Sequence, residues 1–353
     1  MSKMQTFIAE QPAALRRVLD VPFDYDALRS VFRSRAIRKV WMIGSGTSLF
    51  AAMIAATDWE RVLGLDAEAI SSLEFADVPD HLLGAGTAVV GISQSGASFI
   101  LVEGLARARR FDSLTIGITA EPAALIASAA EFLLPTATGP EDAMGKTKGF
   151  TTTAFAACRL GWNIQEPGST PAAYADFPEV VGQVIAAVER AVAHWIQKFV
   201  DVQAIFAIGS GAFLPAAWEG GLKVLEVAKQ VVVTKELEEM LHGPFNAVGP
   251  SSGFVLLAGR VERRDRLDAF LNAVAALDLP LLAITDARTE LPAGPNTLSY
   301  ILPALEEPAL EAMLAVVPLQ ILADRLATAR GLDPDVSRYP FLYKILAAKS
   351  IYV

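Results

Sequence analysis

The decapeptide "IGSGTSLFAA" at 43–52 returns as "IGSGAFLPAA" at 208–217, 165 residues later. A phrase repeated once at that distance demands that two stretches of about 150 residues each take up one architecture. The apolar runs that follow keep the same offset. Strands are expected at "VWMIG" (40–44), "AVVGIS" (88–93), "SLTIGIT" (113–119) and "EFLLP" (131–135), alternating with the helical patterns "LFAAMIAATDWERVLG" and "FILVEGLARARR". The second half repeats them as "IFAIG" (205–209), "FVLLAG" (254–259), "LLAIT" (281–285) and "SYILP" (299–303). Comparing Gly44 with Gly209, Ile92 with Leu257, Ile118 with Ile284 and Pro135 with Pro303 gives separations of 165, 165, 166 and 168. Buried strands alternating with amphipathic helices mark an α/β protein with doubly wound parallel sheets, here written twice.

The expected boundaries are a docking segment at 1–35 with a short helix in "EQPAALRRVLD", a first domain at 36–175, a connecting helix at 176–200, a second domain at 201–330 and a tail at 331–353 with one short helix. A single cysteine, Cys158, inside what reads as a buried helix, excludes a disulfide framework and points to the cytoplasm. The net charge of −9 argues against a nucleic-acid partner, because phosphate backbones are held by clustered Lys and Arg. Mean hydropathy is high at +0.39, yet the charge-free stretches Val40–Thr57 and His81–Val102 are broken by Gly, Ser, Thr or Gln, so no membrane span is expected. The opening "MSKMQTFIAEQPAALRRVLD" lacks the apolar core of a signal peptide. One cysteine and three scattered histidines supply no metal cluster, and neither a metal nor another cofactor is expected.

In a parallel α/β sheet the ligand crevice lies at the carboxyl ends of the strands. Two loops fall there in the first half, "GSGTS" (44–48) and "SQSGAS" (93–98). Glycine lets a backbone approach a ligand, helix N-termini present free N–H groups, and Ser and Thr hydroxyls add donors; together they suit a phosphate. Hydroxyl residues also cap helices in the absence of any ligand. The repeat separates the two readings: at the 165 offset Thr47 and Ser48 become Ala212 and Phe213, while Ser93, Gln94, Ser95 and Ser98 become Ala258, Gly259, Arg260 and Arg263. A fold that tolerates their loss does not need them as caps. Leu49 stands where the third glycine of a dinucleotide fingerprint belongs, which disfavours a dinucleotide enzyme, and no P-loop pattern occurs.

"SQSGAS", the paired "GSG" turns and "EGGLKVLE…LHGP" resemble the sugar isomerase (SIS) domain family. More closely, the chain resembles the double-SIS isomerase half of glucosamine-6-phosphate synthase and the stand-alone aminosugar-phosphate deaminases and fructosamine-6-phosphate deglycases. The resemblance runs from "EQP" to "AAKS". It implies two tandem flavodoxin-like αβα sandwiches with parallel five-stranded sheets, and phosphate binding by Thr47, Ser48, Ser93, Gln94, Ser95 and Ser98, with Gly46 close to the substrate. It further implies an acid/base glutamate at Glu226, a ring-opening histidine at His242, and a Schiff-base lysine at Lys349. The three types serve proton transfer between C1 and C2 of a sugar phosphate: a carboxylate moves the proton, an imidazole protonates the ring oxygen, and an amine forms an imine at C2. The implied assembly is a homodimer in which a neighbouring subunit supplies the histidine.

Two departures bear on the substrate. In "GPEDAMGKTKGF" (139–150) Lys146 replaces the small hydroxyl residue usual in the synthase, placing an extra cation where a second anionic group of a substrate could sit. "VVVTKELEEMLHGP" lacks the His-Ala-Glu that precedes the synthase histidine. With no glutaminase segment or nucleophilic amino-terminal cysteine in this sequence, the expected activities are isomerisation, deamination or deglycation. A non-catalytic sugar-phosphate-binding regulator is the competing reading. The co-occurrence of Glu226, His242 and Lys349 argues against it.

Overall fold

Strands apolar on both faces can be buried only between two layers of helices, and that requirement sets the architecture. The computed structural model describes residues 1–259, 263–286, 289, 291, 294–342 and 345. The first sheet contains β1 (Lys39–Gly44), β2 (Asp66–Ser71), β3 (Thr87–Ile92), β4 (Leu114–Thr119) and β5 (Phe132–Pro135), all parallel, in the order β2-β1-β3-β4-β5. The second contains β6 (Ala204–Gly209), β7 (Val231–Glu236), β8 (Ser252–Ala258), β9 (Leu281–Asp286) and β10 (Thr297–Leu302), in the equivalent parallel order β7-β6-β8-β9-β10. Each is a flavodoxin-like sheet whose strand order reverses between its first and third strands. The expected duplicated α/β fold is therefore what forms.

The eight strands expected from apolar runs lie within two residues of their predicted bounds. The edge strands β2 and β7 complete the sheets, and they too stand 165 residues apart. One paired position needs correction. Ile92 faces Ile118 and Leu257 faces Ile284, as the repeat requires, but Thr119 faces Pro135 whereas Thr285 faces Ile301. The partner of Pro135 is thus Ile301, and Pro303 lies beyond the end of β10.

Two compact units result. Residues 10–141 and 148–178, with the described residues after Arg338, carry β1–β5; residues 1–9, 142–147 and 179–338 carry β6–β10. The expected connecting helix spans Ala172–Phe199, with Pro178 inside it, and the short helix near the start spans Gln11–Leu19. In the β1–β5 unit, helix Thr47–Leu63 packs on helix Lys148–Gln165, where the buried Trp59 Nε1–H donates to the Ala157 carbonyl at 2.8 Å. Cys158 on that second helix is fully buried. In the β6–β10 unit the central helix is Pro308–Ala329. By length and composition it could cross a membrane, but 83% of its apolar window is buried, as befits a core helix. Ser2 Oγ–H and Gln5 Nε2–H both donate to its buried Asp324, tying helix Lys3–Ala9 to this unit.

Helix Phe213–Val227 lies against Pro308–Ala329 at a distance set by Gly220, where a β-carbon would sit 2.0 Å from Leu319 Cδ1 and 2.8 Å from Leu319 Cβ. Alanine there gains about 1 kcal/mol of helix propensity but must push two packed helices apart, at a cost of about 1–3 kcal/mol and more where the backbone has to move. Gly220→Ala is expected to lower the denaturation midpoint, whereas Gly249→Ala, with no atom within 4 Å of the added carbon, should leave it nearly unchanged. Urea titrations followed by circular dichroism test this pair.

Candidate active site

The two hydroxyl loops leave neighbouring strands. β1 and β3 pair in register, Ile43 beside Gly91, and the strand order reverses between them, so "GSGTS" and "SQSGAS" open on one crevice. Gly46 makes the first turn with φ +55° and ψ −129°, a conformation that side chains resist, and Gly211 makes the same turn in the second copy with φ +55°. The turn is therefore a property of the fold. The hydroxyls after it are not: Ala212 and Phe213 replace Thr47 and Ser48 in the second copy, and Ser98 ahead of helix Phe99–Arg110 makes no side-chain cap. Among the described residues the Ser48, Ser93 and Ser98 hydroxyls make no hydrogen bond, although Ser93 is only 6% exposed. Ser95 Oγ accepts the Ala97 N–H at 3.4 Å. Thr47 opens its helix, half-buried.

Gln94 is held differently. Its Nε2–H donates at 3.1 Å to Glu141 Oε2, which also accepts the Gly149 N–H at 2.9 Å at the start of helix Lys148–Gln165. Beside it Lys148, 2% exposed, is paired with Glu10. Sequence reasoning reached this segment but singled out only Lys146. The missed signal was the charge of Glu141 and Lys148 on either side of "DAMGKT", ahead of a helix that carries no further charge until Arg159.

In the second copy the equivalent crevice is altered in shape as well as in chemistry. Phe213, the counterpart of Ser48, lies 5% exposed with its ring against Gly259, the counterpart of Gln94; a β-carbon on Gly259 would sit 2.5 Å from Phe213 Cε2. Loss of the hydroxyls was thus accompanied by filling of the space between the two loops.

Glu226 lies on the helix that this second turn launches, but at its far end. Thirteen residues at about 1.5 Å rise separate it from Phe213, roughly 20 Å along the axis. There Glu219, Lys223 and Glu226 form one stripe. Lys223 Nζ, 1% exposed, lies 2.9 Å from Glu226 Oε2 and 3.4 Å from the buried Glu219 Oε1. Burial pushes the ammonium pKa down, but the carboxylates of Glu219 and Glu226 outweigh it and hold the lysine above its usual 10.5. The sequence signal was a Glu and a Lys at i and i+4 within an otherwise apolar helix, together with Glu226 at i+7. Gly145 of the 142–147 segment seats against Val227 and Lys223. Lys146 in that segment adds to the pull of Lys3 in holding the Asp142 carboxyl below its ordinary range.

His242 follows helix Leu237–Leu241 at a sharp turn, with Gly243 at φ +115°. Its Nε2 lies 2.9 Å from Glu238 Oε1, and the Arg266 guanidinium grips the same carboxylate through two bonds of 2.6 and 2.9 Å. Arg266 first and His242 second hold the Glu238 carboxyl below its ordinary range. His242 lines the crevice at the ends of β6 and β8, near Phe213, whereas Glu226 does not. The β6–β10 unit therefore keeps the two apart. Lys349 lies outside the described residues.

Residues 35–159 match the family model of the SIS domain. This chain carries an SIS domain. Its second half has the same topology, so the fold is that of two tandem SIS domains. The glutamine–fructose-6-phosphate aminotransferase (isomerizing) of Gloeobacter violaceus is 27% identical over 350 residues, covering 94% of this chain but 56% of that protein; the chain thus spans little more than half of that relative. The C-terminal domain of glucosamine-fructose-6-phosphate aminotransferase from Francisella tularensis shares the fold with a TM-score of 0.82 at 22% identity, covering 95% of this chain and 98% of that one. Glucosamine-6-phosphate deaminase from Thermotoga maritima gives a TM-score of 0.74 at 19% identity, covering 96% and 98%.

Removing the cation between Glu219 and Glu226 strands a buried carboxylate. Lys223→Met is expected to destabilise the protein at pH 7 by about 3–5 kcal/mol. Because the folded lysine pKa is raised, its contribution is complete below the usual 10.5 and fades as pH climbs through the folded value, so the deficit should narrow only in strong alkali. Urea unfolding of both proteins across pH 7–11 checks the sign.

Proposed function

We propose that this chain acts on a hexose or hexosamine 6-phosphate as an isomerase or aminosugar-phosphate deaminase, in the cytoplasm and as a homodimer. The observation that carries this reading is the first crevice. Three hydroxyls with no hydrogen-bond partner among the described residues stand at the switch point of an SIS domain, while the second domain has Phe213 in the same place. The names of the relatives, all concerned with amino or keto sugar 6-phosphates, support the same substrate class.

In this reading Ser48, Ser93, Ser95 and Ser98, with Thr47, Gln94 and the Gly46 turn, take the phosphate, and Lys146 meets a further anionic group where the substrate carries one. His242 protonates the ring oxygen as the sugar opens. Its remoteness from Glu226 within its own unit supports supply from the second subunit. Glu226 then carries a proton from C2 to C1, which converts a 2-amino aldose into its 2-imine; water adds, and ketose and ammonia leave. Where the substrate is a ketose, the Lys349 amine condenses at C2 with loss of water, and the resulting iminium acidifies the C1 proton until hydrolysis frees the lysine.

A panel of hexose, hexosamine and fructosamine 6-phosphates, followed for ammonia and for ketose or aldose release, tests the assignment. One class should turn over, and Glu226→Gln should cut kcat by about 10²–10⁴ while leaving the phosphate-bearing ligand bound. Full activity in Glu226→Gln would refute the mechanism, and tight binding with no product from any sugar would make the chain a sensor. Ser48→Ala/Ser93→Ala should raise KM for the same substrate.

A further inference from the structure

The crevice of the second domain is not closed. Above Phe213, at the ends of β6 and β8, lies a cavity of about 1030 Å³, at the upper end of the range for small-molecule sites. Among the described residues its walls carry Arg263 and Arg266 together with Glu236, Glu238, Glu306 and Glu311. Among these residues carboxylates outnumber cations, which suits a bare phosphate poorly. A ligand that is itself both anionic and cationic would find partners for both groups.

The geometry points to a second binding site in this cavity, for a small zwitterion bearing an ammonium and a phosphate or carboxylate. Arg263 is positioned for the anionic end. Its guanidinium pairs with Asp265 at 2.8 Å, but the pair is exposed, 74% and 59%, so exchanging that carboxylate for a ligand oxyanion costs little. Arg266 is engaged with Glu238, whose carboxylate also meets His242, and shapes the wall. The ammonium belongs with the carboxylates of exposed Glu306 and nearly buried Glu311, which flank the start of helix Pro308–Ala329 and line the same cavity. Glu311 Oε1 is already fixed by the Leu305 N–H at 3.1 Å, so that carboxylate is preorganised. Within one chain Glu226 lies roughly 20 Å along its helix from this cavity, so the site is apart from the proton-transfer glutamate, although His242 forms part of its wall. The duplicated fold thus keeps its switch-point crevice in both copies, one written in hydroxyls and the other in opposed charges.

Equilibrium dialysis with glucosamine 6-phosphate tests this, using the full chain carrying Glu226→Gln so that the probe is not consumed. Two sites per chain are expected. Adding Ser48→Ala/Ser93→Ala/Ser98→Ala should abolish one, and adding Arg263→Ala/Glu306→Gln should weaken the other about tenfold or more, with Arg263→Lys restoring most of it. Glucose 6-phosphate and glucosamine, each lacking one charge, should bind this second site more weakly than the probe. No binding, or a single site insensitive to the Arg263 and Glu306 changes, overturns the proposal. A single site lost through Arg263→Ala/Glu306→Gln but untouched by the serine changes supports it while refuting the phosphate role of the hydroxyl loops.

Discussion

Parallel pairing governs this protein. A strand paired to parallel neighbours on both sides must be re-entered from the opposite end, so a helix returns the chain along one face, and the sheet is covered on both. Nothing polar is easily left on those faces. The atoms available to a ligand are those at the carboxyl ends of the strands, and where the strand order reverses the two departing helices diverge to leave a gap. Both sheets obey this rule, and both have their crevice between first and third strands. What distinguishes them is the handful of residues after each glycine turn.

That division explains how much could be read in advance. Apolar runs such as "AVVGIS" and "LLAIT" disclose central strands because both of their faces are buried. The edge strands "DAEAIS" and "VVVTKE" are half-exposed, and their alternation is too short to stand out from loop sequence. The slip from Ile301 to Pro303 arose similarly: in an edge strand an even shift preserves which residues face inward, so only hydrogen-bond register reveals it.

The site was legible where chemistry contradicted the local rule for folding. Hydroxyls at a turn whose twin lacks them stand out in the sequence itself as an anomaly. Phe213 does not, because aromatic residues in α/β proteins are ordinarily core, and only its contact with Gly259 shows that it fills a former opening. Glu219 and Lys223 were hidden for the opposite reason: charged residues at i and i+4 on a helix ordinarily meet water, and here they meet each other in the interior. The separation of His242 from Glu226 depends on helix length and strand direction together, which residue types do not report.

The bonds from Ser2 and Gln5 to Asp324 span more than three hundred residues of sequence. During vectorial synthesis helix Lys3–Ala9 leaves the ribosome while its docking partner is still untranslated, and it must wait, unpartnered, until helix Pro308–Ala329 is complete. The β1–β5 unit has most of its chain available long before then. Helix Lys3–Ala9 thus finds its place only after the more than three hundred residues between it and its partner have been made, and it closes a loop of that length when it docks.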